Sequence, residues 1–290
     1  MKKIFMFAAA AMMILSVASC KKDPSNNGGK DSAGVEVKTA AENLVVYLPL
    51  ESEKGAVAKG QGISFQEKKG AAGFAKGMIG QAYTNTANNN DEAYLKLKVE
   101  TDNAFKKLED ITVTLWAKNN AEFFKGALFS LNGTGKDPSW PGFVMLLDNH
   151  YAATGEQPEK QGVNGRFMFS DADLWLDTID PALAKYDKWF QFAFTYDHAT
   201  GNIVMYVDGV KFVEKNFDKK YPVKDAIAAL TGTNALYVGA WSTFVETGAN
   251  GDWQRYFAGS IDEIRIFNKA LSATEIDALY KEEVKVALAN

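Results

Sequence analysis

The sequence predicts an all-β, antiparallel protein with one short helix at its C-terminus. Three observations carry that expectation. From residue 43 onward the chain runs in short alternating or apolar stretches separated by Gly, Asn and Asp, the pattern of many antiparallel strands. Asp208-Gly209 stands between two such stretches and suits the two positive-φ positions of a type I′ hairpin turn. Ser272 is followed three residues later by Glu275, a capping box that opens a helix.

The elements follow in order. "LVVYLPL" (44–50) begins the folded part. In "ITVTLWA" (111–117), Ile111, Val113 and Leu115 share one face while Thr112, Thr114 and Trp116 share the other, as a period of two requires. "FQFAFTY" (190–196) sets Phe190, Phe192, Phe194 and Tyr196 on one face. "NIVMYVDGVKFVE" (202–214) is the hairpin, and "ALYVGAW" (235–241) and "IDEIRIF" (261–267) are further strands. Only the capped segment reads as a helix, with Ile276, Leu279 and Tyr280 on one face. Glu275 and Asp277 lie about 200° apart around it, so their carboxylates diverge and serve as surface charges.

The chain has 290 residues, of which 47% are hydrophobic and 23% charged, values that exclude a disordered or collagen-like protein. A formal net charge of -4 offers no broad basic field, so nucleic acid is not an expected partner. Lys2-Lys3, an apolar run from Ile4 to Val17 and small residues Ala18-Ser19 form a secretory signal, too short for a membrane span. The run Val17-Ala18-Ser19-Cys20 resembles the bacterial lipobox, which implies cleavage of residues 1–19 and lipidation of Cys20, the single cysteine of the chain. Residues 20–42 are rich in Lys, Asp, Asn, Gly and Ser and read as a flexible tether, with the folded domain spanning 43–290. Lys21 after Cys20 resembles outer-membrane sorting. The expected location is the outer membrane, lipid-anchored, at the cell surface or facing the periplasm.

"WFQFAFTYDHATGNIVMYVDGVKF" (189–212) and "YFAGSIDEIRIFNKALSATEIDALY" (256–280) resemble the laminin G-like, concanavalin A-like domains of bacterial surface proteins. "LVVYLPLESE" and "ITVTLWAK" extend the resemblance over nearly all of 43–281. It implies a two-sheet jelly-roll sandwich. It leaves function open, because the superfamily includes lectins, glycan-binding modules, adhesive domains and glycoside hydrolases.

Catalysis has little support in the residues. Members resembling laminarinases carry Glu-x-Asp-x-Glu or Glu-x-Asp-x-x-Glu on one strand, where alternate carboxylates share a face. Here the only Glu-x-Asp is Glu275-Ile276-Asp277, on the helix. Asp262 and Glu263 are strand neighbours and point to opposite faces, and Asp171, Asp173 and Asp177 are the one alternative carboxylate group. The two histidines, His150 and His198, read as loop and turn residues. No zinc spacing or phosphate loop is present in the sequence.

By the same resemblance, Asp262 takes the place of the family's metal-binding Asp, and Glu51 stands where the family usually has Asp. Together with backbone carbonyls they imply a structural Ca²⁺. Sugar recognition needs aromatic platforms and polar edges, which directs attention to Trp140, Trp175, Trp241, Trp253, Tyr151, Asp252 and Arg255. With strands 235–241 and 256–267 as neighbours, Trp241 and Trp253 would emerge at the same end of the sandwich. The expectation is a non-catalytic lipoprotein that captures oligo- or polysaccharide with loop aromatics. An adhesive module for surface proteins is the alternative, and a glycoside hydrolase the third reading.

Overall fold

The Asp208-Gly209 turn forms as its chemistry dictates: φ is 51° at Asp208 and 79° at Gly209, and the strands on either side pair antiparallel. This computed structural model describes residues 34–87, 91–120, 125–135, 138–148, 161–168, 173–180, 187–218, 220–248 and 254–289. In chain order the strands are β1 (Leu44–Leu48), β2 (Lys59–Gly60), β3 (Ile63–Gly70), β4 (Ala72–Lys76), β5 (Gln81–Asn85), β6 (Ala93–Val99), β7 (Ile111–Asn119), β8 (Lys125–Leu131) and β9 (Phe143–Asp148). They continue with β10 (Gln161–Met168), β11 (Asp173–Asp180), β12 (Phe190–Asp197), β13 (Asn202–Val207), β14 (Val210–Asn216), β15 (Ala235–Val238), β16 (Gln254–Arg255) and β17 (Gly259–Phe267). Among the described residues three α-helices accompany them, α1 (Val223–Ala228), α2 (Ser242–Thr247) and α3 (Ala273–Ala287).

Two sheets face each other. The first runs β14-β13-β12-β7-β17-β1-β2, with β5 also on β17 and β4 on β5; the second runs β11-β10-β9-β8-β15-β6-β3, with the short β16 parallel to β8. All other strand pairs are antiparallel. This is the jelly-roll sandwich that the resemblance implied. Alternation decides which side chains meet between the layers. Val113, Leu115, Phe192 and Phe194 point inward from the first sheet, and Leu95, Leu97, Phe143 and Met145 from the second. Phe143 packs on Phe194 across the gap, ring centroids 5.5 Å apart. Each such fully buried side chain contributes about 1.5–3 kcal/mol.

The outer face of the first sheet is covered as well. The Ser272 side chain accepts from the Glu275 N–H while the Glu275 carboxylate accepts from the Ser272 N–H, fixing the start of α3. The helix then lays Ile276 and Leu279 over Phe267, Ala193 and Tyr206, and Tyr280 stacks on Trp116 at 5.6 Å. On its exposed side Asp277 pairs with Lys281 at 2.7 Å, and Glu275 is spent on the cap and Lys269. The diverging carboxylates are therefore surface and capping groups.

Three expectations change. Two further helices exist beyond α3, each of six residues; α2 lies in what the sequence presents as a polar insertion. The boundary at residue 43 also moves. Val37 is buried beneath α3, the Val35 carbonyl accepts from Arg265 at 3.0 Å, and Glu282 accepts from the N–H groups of Lys38 and Thr39. Residues 34–43 thus form a strap on the domain, where composition alone reads tether. Finally, the strands within 235–241 and 256–267 do not pair in one ladder: β15 pairs with β6 and β8, and β17 with β1, β5 and β7, and the segments meet where the Phe257 N–H donates to the Gly239 carbonyl at 2.8 Å. No described helix is long and apolar enough to cross a membrane. Residues 1–33, with the signal segment and Cys20, lie outside the described residues.

Candidate ligand-binding face and ion site

The second sheet carries an aromatic layer on its outer face. Alternation that sends Leu236 and Val238 inward sends Tyr237 outward, next to Tyr94 of β6, and Val144 and Leu146 of β9 point the same way. After β15 the chain reverses at Gly239 (φ 83°). Only glycine suits this turn, because a Cβ there would lie 2.2 Å from the Tyr83 hydroxyl. The reversal lays α2 back across the sheet, where the Ser242 N–H donates to Ser130 Oγ at 3.0 Å and Phe244 and Val245 pack onto the layer.

The rings are mutually ordered. Tyr94 meets Tyr237 edge-on at 5.5 Å and stacks with Tyr256 at 6.3 Å. Phe244 meets Tyr256 at 5.4 Å, and Trp140 meets Trp241 at 5.0 Å, both near perpendicular. Trp140, Phe244 and Tyr256 are half-buried. Polar groups frame them: Glu246 accepts from the Tyr237 hydroxyl at 3.0 Å and from Asn132 at 2.8 Å, and Lys96 Nζ sits 5.4 Å above the Tyr237 ring. Burial comes first among the causes that push the Tyr237 hydroxyl above its ordinary pKa, followed by the negative charge of Glu246.

The sequence-derived residues divide across this face. Trp140 belongs to it. Trp241 does not offer a platform: it is 0% exposed, packed against Ala127, Val144, Leu146 and Trp140, because the chain reversal buries it beneath α2. Trp175 sits on the edge strand β11 opposite Arg166, removed from β15 by β10, β9 and β8. Arg255 lies in β16 beside Gly126; only its backbone is described. Tyr151, Asp252 and Trp253 lie outside the described residues, as do His150 and Asp171. Tyr94, Tyr237, Phe244 and Tyr256 were not picked out from the sequence. The alternation of β6 and β15 marks Tyr94 and Tyr237 as a pair pointing away from the core, which is the signal that finds them.

The two residues expected to hold an ion, Asp262 and Glu51, stand where the chain's first and last described strands meet. Asp262 is 0% exposed, and its Oδ2 accepts from the Ile79 N–H at 2.9 Å. Its Oδ1 is buried without a hydrogen-bond partner. Glu51 accepts from the Gln81 N–H at 2.8 Å and lies so close to Gly80 (φ 59°) that a Cβ there would meet its carboxylate at 2.2 Å. Burial, then the nearby charges of Glu263 and Glu51, raises the Asp262 pKa well above its ordinary value. An orphaned buried oxygen beside a second carboxylate fits a hard cation. Among the described residues no third acidic, His or Cys ligand joins them, so main-chain carbonyls and water would complete the six to eight oxygens that calcium takes.

Glu263 departs from simple alternation. It adopts φ 54° at a bulge between Asp262 and Arg265. Its carboxylate accepts from the Tyr47 hydroxyl at 3.0 Å and pairs with Arg265, so it shares no substrate position with Asp262. His198 bonds Asp110 at 2.7 Å in the turn after β12, as a turn residue.

The comparisons with known proteins agree with this architecture. No curated protein matches the chain in sequence. Among solved structures, the binding domain of botulinum neurotoxin serotype D superposes with a TM-score of 0.52 at 13% identity, covering 83% of this chain and 52% of that one. A botulinum neurotoxin DC binding domain, solved with rat synaptotagmin II, gives 0.53 at 12% identity, with 83% and 52% covered. The chain thus spans about half the length of the toxin domains it matches. The Ruminococcus gnavus sialidase module CBM40, solved with α2,3-sialyllactose, gives 0.45 at 19% identity, with 60% of this chain and 84% of that one covered. The sequence profile described as Laminin_G_3, concanavalin A-like lectin/glucanases superfamily, matches residues 89–277, more than half of the chain. The protein therefore belongs to the concanavalin A-like lectin/glucanase superfamily.

Proposed function

We propose that this protein is a lipid-anchored, non-catalytic carbohydrate-binding protein that captures glycans on the aromatic outer face of its second sheet. One observation carries the reading: Trp140, Phe244 and Tyr256 present half-buried rings beside Lys96 and Glu246. A pyranose offers an apolar face to a ring and hydroxyls to its polar surroundings. The segment 249–255, which carries Asp252, Trp253 and Arg255, joins α2 to Tyr256 in the sequence. Against hydrolysis stand the buried carboxylates: Asp262, Glu263 and Glu283 are each 0% exposed, behind partners that leave no approach for a sugar.

Asp262 and Glu51 would hold a structural calcium ion, whose charge would tie β1 and β17 to the loop between Gly77 and Gln81. Cys20 would carry the lipid that keeps the domain at the outer membrane.

The test is binding to a panel of soluble polysaccharides. Trp140→Ala and Tyr256→Ala should weaken retention while the fold persists, no reducing sugar should appear, and Cys20→Ala should move the protein from the membrane to the soluble fraction. Retention of a surface protein irrespective of glycan, with no polysaccharide bound, would replace this reading with the adhesive one. Release of reducing ends would establish a hydrolase.

A further inference from the structure

The end of the sandwich closed by α1 holds a cavity of about 500 Å³. Asn234, which lines it, precedes the start of β15 and accepts from Asn132, whose Nδ2 also donates to Glu246 of the aromatic shelf at 2.8 Å, so the cavity adjoins the shelf through one shared amide. α1 closes this end: the Val223 and Lys224 N–H groups donate to the carbonyls of Glu109 and Leu108 at 2.9 and 2.7 Å. With the turn Ala104–Lys107 and the stretch 232–234, it forms the walls.

The lining sets an aliphatic patch beside polar and charged groups. Ile227 and Leu230 form an apolar patch, Thr101 supplies a hydroxyl and Asn234 its amide Nδ2, while Asn103 is spent on the Phe105 N–H and the Glu100 carbonyl and Asn234 Oδ1 on Asn132. Its charges are unequal. Glu100 is held by Lys98 at 2.7 Å, and Lys224 is held by Glu109. Lys106 makes no ion pair among the described residues. The cavity therefore carries one uncompensated cation next to hydrogen-bonding groups and an apolar patch. The geometry points to an acidic sugar: we infer that this cavity binds a uronic acid residue, its carboxylate on Lys106, its hydroxyls on Thr101 and Asn234, and a ring face against Ile227 and Leu230. No aromatic of the shelf lines this cavity, so Trp140→Ala should leave its ligand binding in place.

The experiment is an NMR titration of the full chain with glucuronate and galacturonate against glucose, galactose and acetate, reading the amides of Thr101, Gly232 and Asn234. Both the carboxylate and the ring should matter, so a uronate should bind roughly two- to fivefold more tightly than the neutral sugar, the factor for one solvent-exposed ion pair, and also more tightly than acetate. Lys106→Gln should erase the preference over the neutral sugar. Ala228→Trp, which places an indole at an exposed rim position, should abolish the shifts while polysaccharide binding at the shelf persists. Equal response to the uronates and the neutral sugars, an equal response to acetate, or shifts unchanged by Ala228→Trp would overturn the inference.

Discussion

Trp116 Nε1 donates to Glu283 Oε2 at 2.7 Å inside the interface between β7 and α3, where Glu283 is 0% exposed. The same oxygen accepts from Gln191 Nε2 at 2.7 Å, and the other pairs with the buried Arg265. A charge in this position is stabilising only while every partner stays in place. Glu283→Ala would strand two donors and leave Arg265 with Glu263 alone, so a loss of about 3–5 kcal/mol is expected. Glu283→Gln keeps an oxygen for the Trp116 indole and should cost less. Urea unfolding of the two variants orders them, and equal midpoints to the parent would refute the lock.

Trp140 and Trp241 touch edge to face but should respond differently to truncation. Trp241 is fully buried, so Trp241→Ala leaves a cavity and should cost about 3–5 kcal/mol. Trp140 is half-buried, so Trp140→Ala should cost far less stability and act chiefly on glycan retention. Thermal melts beside affinity electrophoresis separate the two effects. If Trp241→Ala melts like the parent, the packing role fails.

What the sequence made legible is local. Asp208-Gly209 and the Ser272/Glu275 box specify their turn and cap with neighbours two or three residues away, and both form as read. The fate of Trp241 depends on a chain reversal that covers one sheet's outer face, a relationship between distant segments that alternation cannot express. Glu283 is an instructive intermediate. It falls seven residues after Ile276, on the helix face that also carries Leu279 and Tyr280. An acid in an apolar stripe is a sign of a buried pair, and Arg265, its partner, lies one strand away in the sequence. The strap at 34–43 was hidden for another reason: its hold comes largely from backbone groups, N–H of Lys38 and Thr39 and C=O of Val35, which composition does not reveal.

That strap should loosen in acid. Burial disfavours the charge on Glu282, but hydrogen bonds from the Thr39 hydroxyl and the Lys38 and Thr39 N–H groups outweigh it, so its pKa falls below the ordinary 4.5. A depressed folded pKa gives stability that is present above the unfolded value and lost as pH falls through the folded one. Protection of the Lys38 and Thr39 amides in hydrogen exchange should therefore hold above about pH 4.5 and decline below it. In Glu282→Gln it should be weak throughout, without that acid step. Protection that is unchanged from neutral pH to below pH 3 would show that Glu282 does not hold the strap.

Calcium should stabilise the fold through Asp262, and the pH dependence of that effect has a definite sign. Without an ion, the raised pKa of Asp262 means that its contribution is fully present below the unfolded value of 3.8 and is lost as pH rises through the folded value, where a buried carboxylate must ionise. A cation reverses this, because it binds the ionised form and competes with the proton. Added calcium should thus raise the free energy of unfolding at neutral pH, by about 2.7 kcal/mol when its concentration is a hundred times the dissociation constant, and move the midpoint up accordingly. The increment should shrink as the solution is acidified. Magnesium, which demands a tighter octahedral set of oxygens, should give much less. Asp262→Asn should remove the calcium increment, and Glu51→Gln should reduce it while leaving the Asp262 carboxylate in place. Chemical denaturation with calcium, with magnesium and with a chelator reads all of these. The same midpoint in every condition, or an Asp262→Asn variant that still responds fully to calcium, would show that these two carboxylates serve the loop amides of Ile79 and Gln81 alone.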